Sequence, residues 1–188
     1  MAEIVLSHRA ALAGVATGRF GAAFDSSRSL TLTALPEGHV LHLLAAPGAV
    51  PHAGAITAAG GGTLRAYAPG QWFVVGDERL TASQKAEIAG RLAGVADVVD
   101  TSHGRVRMAL SGAAVERVLA KGTAVDLAPS AFPVGRSATT LVGHISVQIT
   151  RTGEQSFELM VLRGFAESLW DELIGMAREF GVEAVGPA

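Results

Sequence analysis

The chain has 188 residues, of which 49% are hydrophobic and 17% charged, with a formal net charge of −2 at pH 7 and no cysteine. That length buries about 70% of the unfolded surface without help from a metal or a disulfide. The missing cysteines exclude disulfides, Cys-ligated zinc, iron–sulfur clusters, cysteinyl flavin and a thiol nucleophile, and the near-neutral charge offers nothing to a nucleic-acid backbone.

Glu3, His8 and Arg9 interrupt any apolar run at the start, so the plan of a signal peptide is missing. No apolar run reaches the about 18 residues that could span a bilayer, and the expectation is a soluble cytoplasmic protein with no membrane partner. Charge this sparse, against about 25% in ordinary soluble domains, favours burial of surface against partner subunits. Residues 1–28 are small, polar and aperiodic, with Gly14, Gly18 and Gly21 as breakers, and read as an arm that makes subunit contacts. Residues 29–188 then form a single compact α+β domain with approximate halves 29–94 and 95–188.

Leu30, Leu32 and Ala34 alternate with Thr31 and Thr33, which is a strand pattern, and the turn Pro36-Glu37-Gly38 leads into a second strand over 39–44. The two are expected to pair as a hairpin. Ala49–Ala59 is a weak helix candidate before Gly60-Gly61-Gly62. Strands over 63–67 and 71–75 flank Ala68-Pro69-Gly70. Thr81 and Gln84 have capping-box spacing ahead of a helix whose inner face is Ile88, Ala89 and Leu92, ended by Gly94.

The clearest local signal is Asp100–Gly122, DTSHGRVRMALSGAAVERVLAKG. Val106, Met108 and Leu110 alternate with Arg105, Arg107 and Ala109, as in a strand with one buried face. Ser111 is placed to cap a helix with Val115, Val118 and Leu119 inward, and Gly122 to close it in a left-handed conformation. A Pro-containing loop over 123–135 follows. Strands 138–142 and 144–150 form a hairpin across Gly143, and a strand over 157–161 precedes a helix with Phe165, Leu169, Leu173, Met176 and Phe180 on one stripe. Lined up, the elements suggest two similar strand–helix–strand–strand–helix halves, in an antiparallel or mixed sheet with packed helices.

No G-x-G-x-x-G opens a helix, and the Gly triplet precedes a strand, so a dinucleotide loop is not expected. The histidines at 8, 39, 42, 52, 103 and 144 lack helical i, i+4 spacing, and His39 and His42 point to opposite faces of a strand. Asp100-Thr101-Ser102-His103 gathers a carboxylate, hydroxyls and an imidazole, but adjacent residues in a turn seldom align as nucleophile, base and orienter. Asp100 or Ser102 bonding turn amides is the better account. Asp126 and Arg136, in and beyond VDLAPSAFPVG, are the remaining candidates for binding a ligand.

The run DTSHGRVRMALSGAAVERVLAKG with VDLAPSAFPVG resembles the gamma subunit of heterotetrameric sarcosine oxidase and related N-methyl amino acid oxidoreductases, a small relative of the folate-binding aminomethyltransferase domain. The resemblance continues through Thr140–His144 and Phe157–Val161 to the last helix, with departures at Ala128 and at Gly164, where a capping hydroxyl is usual. It implies an aminomethyltransferase-like fold and a non-catalytic subunit of an enzyme that oxidatively demethylates sarcosine to glycine, with the one-carbon unit passing to tetrahydrofolate. It also implies alpha, beta and delta partner subunits that hold FAD, FMN, NAD, tetrahydrofolate and zinc. No residue of this chain is assigned a catalytic, cofactor-binding or metal-binding role. The alternatives are a stand-alone folate-binding aminomethyltransferase-like protein and a free-standing binding module.

Overall fold

The computed structural model describes residues 7–25, 27–54 and 62–187. Its strands are β1 (Gly18–Phe20), β2 (Leu30–Ala34), β3 (His39–Ala45), β4 (Thr63–Ala68), β5 (Gln71–Gly76), β6 (Ala96–Asp100), β7 (Arg105–Gly112), β8 (Ser137–Val142), β9 (Ile145–Gly153), β10 (Ser156–Leu162) and β11 (Val182–Val185). Helices α1 (Ala82–Arg91), α2 (Val115–Leu119) and α3 (Ala166–Ala177) join them.

The strands form two sheets. One has seven strands in the order β1-β11-β2-β7-β10-β9-β8, and the other has four in the order β4-β5-β3-β6. One face of the larger sheet, with Leu32, Met108, Leu110, Phe157, Leu159 and Ile149, packs against α2 and α3. The smaller sheet presents Leu41, Leu43 and Val74 to Ile88 and Leu92 of α1. The remaining faces meet each other, with Val40, Phe73 and Val75 against Met160. The order is therefore helix, sheet, sheet, helix, which matches the expected α+β class.

Part of the expected internal similarity is visible, although the first helix of the earlier half lies largely outside the described residues. The run β3, β4, β5, α1, β6 corresponds to β7, β9, β10, α3, β11, and the sheet orders β4-β5-β3-β6 and β9-β10-β7-β2-β11 agree once β2 is removed. β2 runs antiparallel to β7 and parallel to β11, and so inserts between them. The expected pairing of β2 with β3 is thus wrong: β3 pairs with β5 and β6. A three-residue turn looks like a hairpin loop, but here it carries the chain from one sheet to the other. The helix expected over 49–59 and the glycines Gly60 and Gly61 lie largely outside the described residues.

Two further corrections concern the focal segment. β7 runs on through Ser111 to Gly112, so Ser111 belongs to the strand and α2 starts from Ala114 without a side-chain cap. Gly122 is not left-handed. A Cβ there would lie 2.9 Å from the Met176 sulfur and 3.1 Å from the Gly143 amide nitrogen, so the glycine serves close packing rather than a left-handed backbone angle. The last helix is centred on Leu169, Trp170, Leu173 and Ile174, whereas Phe165 is 53% exposed. Its start carries no side-chain cap, as Gly164 suggests. The capping box of Thr81 and Gln84 forms as expected, with both reciprocal bonds present.

Residues 7–25 lie over this chain's own larger sheet. Leu12 is buried in its core, the Trp170 indole donates to the Ala16 carbonyl at 2.9 Å, Arg163 donates to the Arg9 carbonyl at 2.7 Å, and β1 pairs with β11.

Candidate functional site

The polar groups converge where the turn between β2 and β3 is drawn onto the end of β5. Arg107 on β7 holds the two together: one guanidinium nitrogen donates to Pro36 O at 3.0 Å, Gly76 O at 3.2 Å and Asp77 Oδ1 at 2.6 Å. Gly38 is required there, since a Cβ would lie 2.0 Å from the Gly76 carbonyl oxygen. The result is a cleft of about 100 Å³ lined by Glu37, Arg79, Lys85, Asp100, Ser102, His103 and Arg163.

Glu37 is the hub of this cleft. It pairs with the His8 imidazole, accepts from Arg163 at 3.1 Å and from the Ala11 amide at 3.3 Å, and faces Arg79 at 3.7 Å. Partial burial pushes its carboxyl up, but the bonds from His8, Arg163 and Ala11 outweigh that and hold it below the usual carboxylate range.

Asp100 closes the other side. Its carboxylate accepts from Lys85 at 2.8 Å and from the Ser102 hydroxyl and amide at 2.5 and 3.0 Å. Burial raises its pKa, but the Lys85 and Ser102 bonds win and bring it down from 3.8 to about 2. A carboxyl depressed in the folded state stabilises the fold above its unfolded pKa, and this contribution is lost as pH falls through the folded value. Asp100→Asn should therefore flatten the loss of stability between pH 3.8 and about 2, as read in acid unfolding followed by tryptophan fluorescence. An unaltered acid limb would show that the Lys85 and Ser102 bonds contribute nothing.

The tempting Asp100–His103 run is a turn. The Ser102 hydroxyl also accepts the Val40 amide at 3.0 Å, and Thr101 donates to Val40 O at 2.9 Å, so both hydroxyls are spent tying the turn to β3, while the imidazole of His103 is exposed. Asp126 accepts the Ala128 amide at 3.0 Å in a local turn, and Arg136 lies 6.0 Å from the Phe132 ring centroid. His39 is buried against the Glu78 carbonyl, His42 joins Tyr67 and Phe73 in an aromatic cluster, and His144 is exposed. Among the described residues no group of three or more His, Asp or Glu is placed to hold a metal.

Sequence reasoning missed the buried ion network between the sheets. Arg65 on β4 donates both terminal nitrogens to Glu158 on β10, at 2.5 and 2.9 Å, and Arg107 lies 3.6 Å from the same carboxylate. Gln148 donates to Ala66 O at 2.7 Å, across the same gap. Arg151, 1% exposed, bonds Glu116 at 2.6 Å, Glu154 O and Leu127 O, and lies over the Phe157 ring. A signal was available in Phe157–Val161, where one polar residue sits in an otherwise apolar run, as in a strand covered on both faces.

Tetrahydrofolate, the group that the aminomethyltransferase-like fold implies, does not fit these residues. Side chains of the ion network fill the space between the sheets, and the polar cleft is well below the about 300–1,000 Å³ of ligand pockets. An adjoining open groove of about 550 Å³ is lined by Glu37, Asp77 and Glu78 with His8 and Arg79, and three carboxylates there disfavour a ligand that itself carries carboxylates.

The family described as the sarcosine oxidase, gamma subunit family has a model that matches residues 39–179. The sarcosine oxidase subunit gamma of Corynebacterium sp. (strain P-1) is 39% identical over 115 residues, covering 58% of this chain and 57% of that one. Its counterpart from strain U-96 is 29% identical over 191 aligned positions, covering 94% and 93%. A chain of the heterotetrameric sarcosine oxidase from Corynebacterium sp. U-96, solved in complex with pyrrole 2-carboxylate, superposes with a TM-score of 0.73 at 29% identity, covering 86% of this chain and 88% of that one. Aminomethyltransferase T of the glycine cleavage system from Bartonella henselae shares the fold, with a TM-score of 0.59 at 20% identity, but this chain spans only 49% of it.

Proposed function

The chain belongs to the sarcosine oxidase gamma subunit family, and from that membership we propose that it is a non-catalytic subunit of a heterotetrameric flavoenzyme that oxidatively demethylates sarcosine. The observation that carries this reading is the superposition along 86% of the chain on a subunit of such a complex. The geometry agrees with it. The acids and bases that could do chemistry are spent on holding the arm, the turns and the two sheets together, which suits a subunit that contributes surface.

In this reading the larger alpha and beta subunits hold FAD, FMN, NAD and the folate site, the delta subunit holds zinc, and the assembly works in the cytoplasm. The one-carbon unit released from sarcosine passes to tetrahydrofolate on those subunits. Mild affinity purification of the tagged chain from its native cells grown on sarcosine tests the proposal. A yellow complex with larger flavin-bearing chains and sarcosine-dependent turnover is the expected result. A colourless protein that elutes alone and binds tetrahydrofolate tightly would instead support the stand-alone folate-binding alternative.

A further inference from the structure

The two facing sheets stop covering each other at one end. Val40, Phe73 and Val75 of the smaller sheet close on Met160 of the larger. Two residues beyond Met160, on the same face of β10, Leu162 is 46% exposed, and on the smaller sheet Leu44 and Val99 are 39% and 46% exposed. These residues are joined contact by contact. Leu162 is the cross-strand partner of Arg105. The Arg105 guanidinium lies 5.0 Å from the Phe73 ring centroid and 5.9 Å from that of Tyr67. The His42 ring meets the same two rings, at 4.8 and 5.4 Å. Val99 is the cross-strand partner of His42, and Leu44 follows His42 on the same face. The result is a strip that runs from β10 through β7 and the rings on β4 and β5 to β3 and the edge strand β6.

Arg105 is the cation in this strip. It is partly buried against the two rings, yet it makes no ion pair among the described residues. The acids of the neighbouring elements are spent elsewhere: Glu158 on Arg65 and Arg107, Asp77 on Arg107, Asp100 on Lys85, and Glu37 on His8 and Arg163. Asp97, cross-strand from Leu44, is exposed at the sheet edge, where it keeps its water. Aromatic and Arg side chains set among apolar ones are the composition of the buried centre of a protein–protein contact.

We propose that a neighbouring subunit of the oxidase docks on this strip, with a carboxylate side chain on Arg105 and apolar side chains against Leu162, Val99 and Leu44, a reading that rests on the gamma-subunit assignment. Charge selects the occupant. A partner that covered Arg105 with apolar side chains alone would strip a cation of water without compensation. A carboxylate instead pairs with a guanidinium that two rings already orient.

The chain has no cysteine, so Leu162→Cys and Val99→Cys each give it a single thiol. Maleimide labelling, read as the mass of the tagged chain, should be slowed about tenfold or more at both positions when the chain is in the captured complex rather than free. Arg105→Glu should speed release of the tagged chain from that complex about tenfold or more, while Arg105→Lys, which keeps the charge, should release slowly. Unfolding midpoints of the free variants separate lost docking from lost folding. Thiols labelled as fast in the complex as in the free chain would overturn the docking face and leave the subunit assignment standing. Slow labelling with release unmoved by Arg105→Glu would overturn the carboxylate on Arg105. Protection that grows with the concentration of the free chain would make a second copy the occupant, its Asp97 set against Arg105, and overturn the proposal. If the natural chain captures no partner, the assignment fails, and the docked subunit with it.

Discussion

Glu158→Ala should lower the stability of the full chain by about 3–5 kcal/mol, read as a fall in the urea midpoint at unchanged slope. Glu158 is the buried anion between two buried cations. Its side chain is 6% exposed, against 8% for Arg65 and 4% for Arg107. Removing it leaves Arg65 desolvated, without the bidentate partner at 2.5 and 2.9 Å. Arg107 keeps Asp77 and two carbonyls, so the damage should concentrate on Arg65 and on the contact between the sheets. Replacing the pair together, Arg65→Met with Glu158→Leu, removes both desolvation costs and should recover most of the loss. A midpoint unmoved by Glu158→Ala would mean that the sheets do not close over this cluster.

The second large effect belongs to Trp170. This side chain is fully buried under the arm, and its indole nitrogen donates to Ala16 O at 2.9 Å. Trp170→Ala should cost about 3–5 kcal/mol through the cavity left in the larger core. Trp170→Phe keeps most of the volume but leaves the Ala16 carbonyl without its donor, a loss of about 1 kcal/mol. Limited proteolysis separates the two: the Phe variant should be cut faster within residues 7–25 while its unfolding midpoint moves little. Cleavage of the arm in the Phe variant no faster than in the natural chain would show that the indole does not hold it.

Much of the fold was legible because hydrophobic periodicity reports which residues are buried. Val106, Met108 and Leu110 do line the core, the hairpins across Gly70 and Gly143 do form, and Thr81 does cap α1. What periodicity cannot report is what covers the other face. Arg107 alternates with apolar neighbours, a pattern that points it to water, yet a second sheet lies over it and leaves it 5% exposed. The same long-range event separates β2 from β3, since nothing within Pro36-Glu37-Gly38 encodes the sheet to which either strand belongs. The candidate site was harder still. Glu37, Lys85, Asp100 and Arg163 are far apart in sequence, and only the closure of Gly38 on Gly76 gathers them. The turn at Asp100 was readable because its bonds are local, within two residues.

In the proposed function this chain serves its enzyme by packing. This role is tested most directly by co-producing the sarcosine oxidase subunits with and without the chain, and measuring the size of the flavin-absorbing species and its sarcosine-dependent turnover. Omitting the chain should leave smaller, flavin-bearing assemblies with little sarcosine oxidation, and adding it back should restore both together. A full-sized complex with undiminished turnover in its absence would contradict this role.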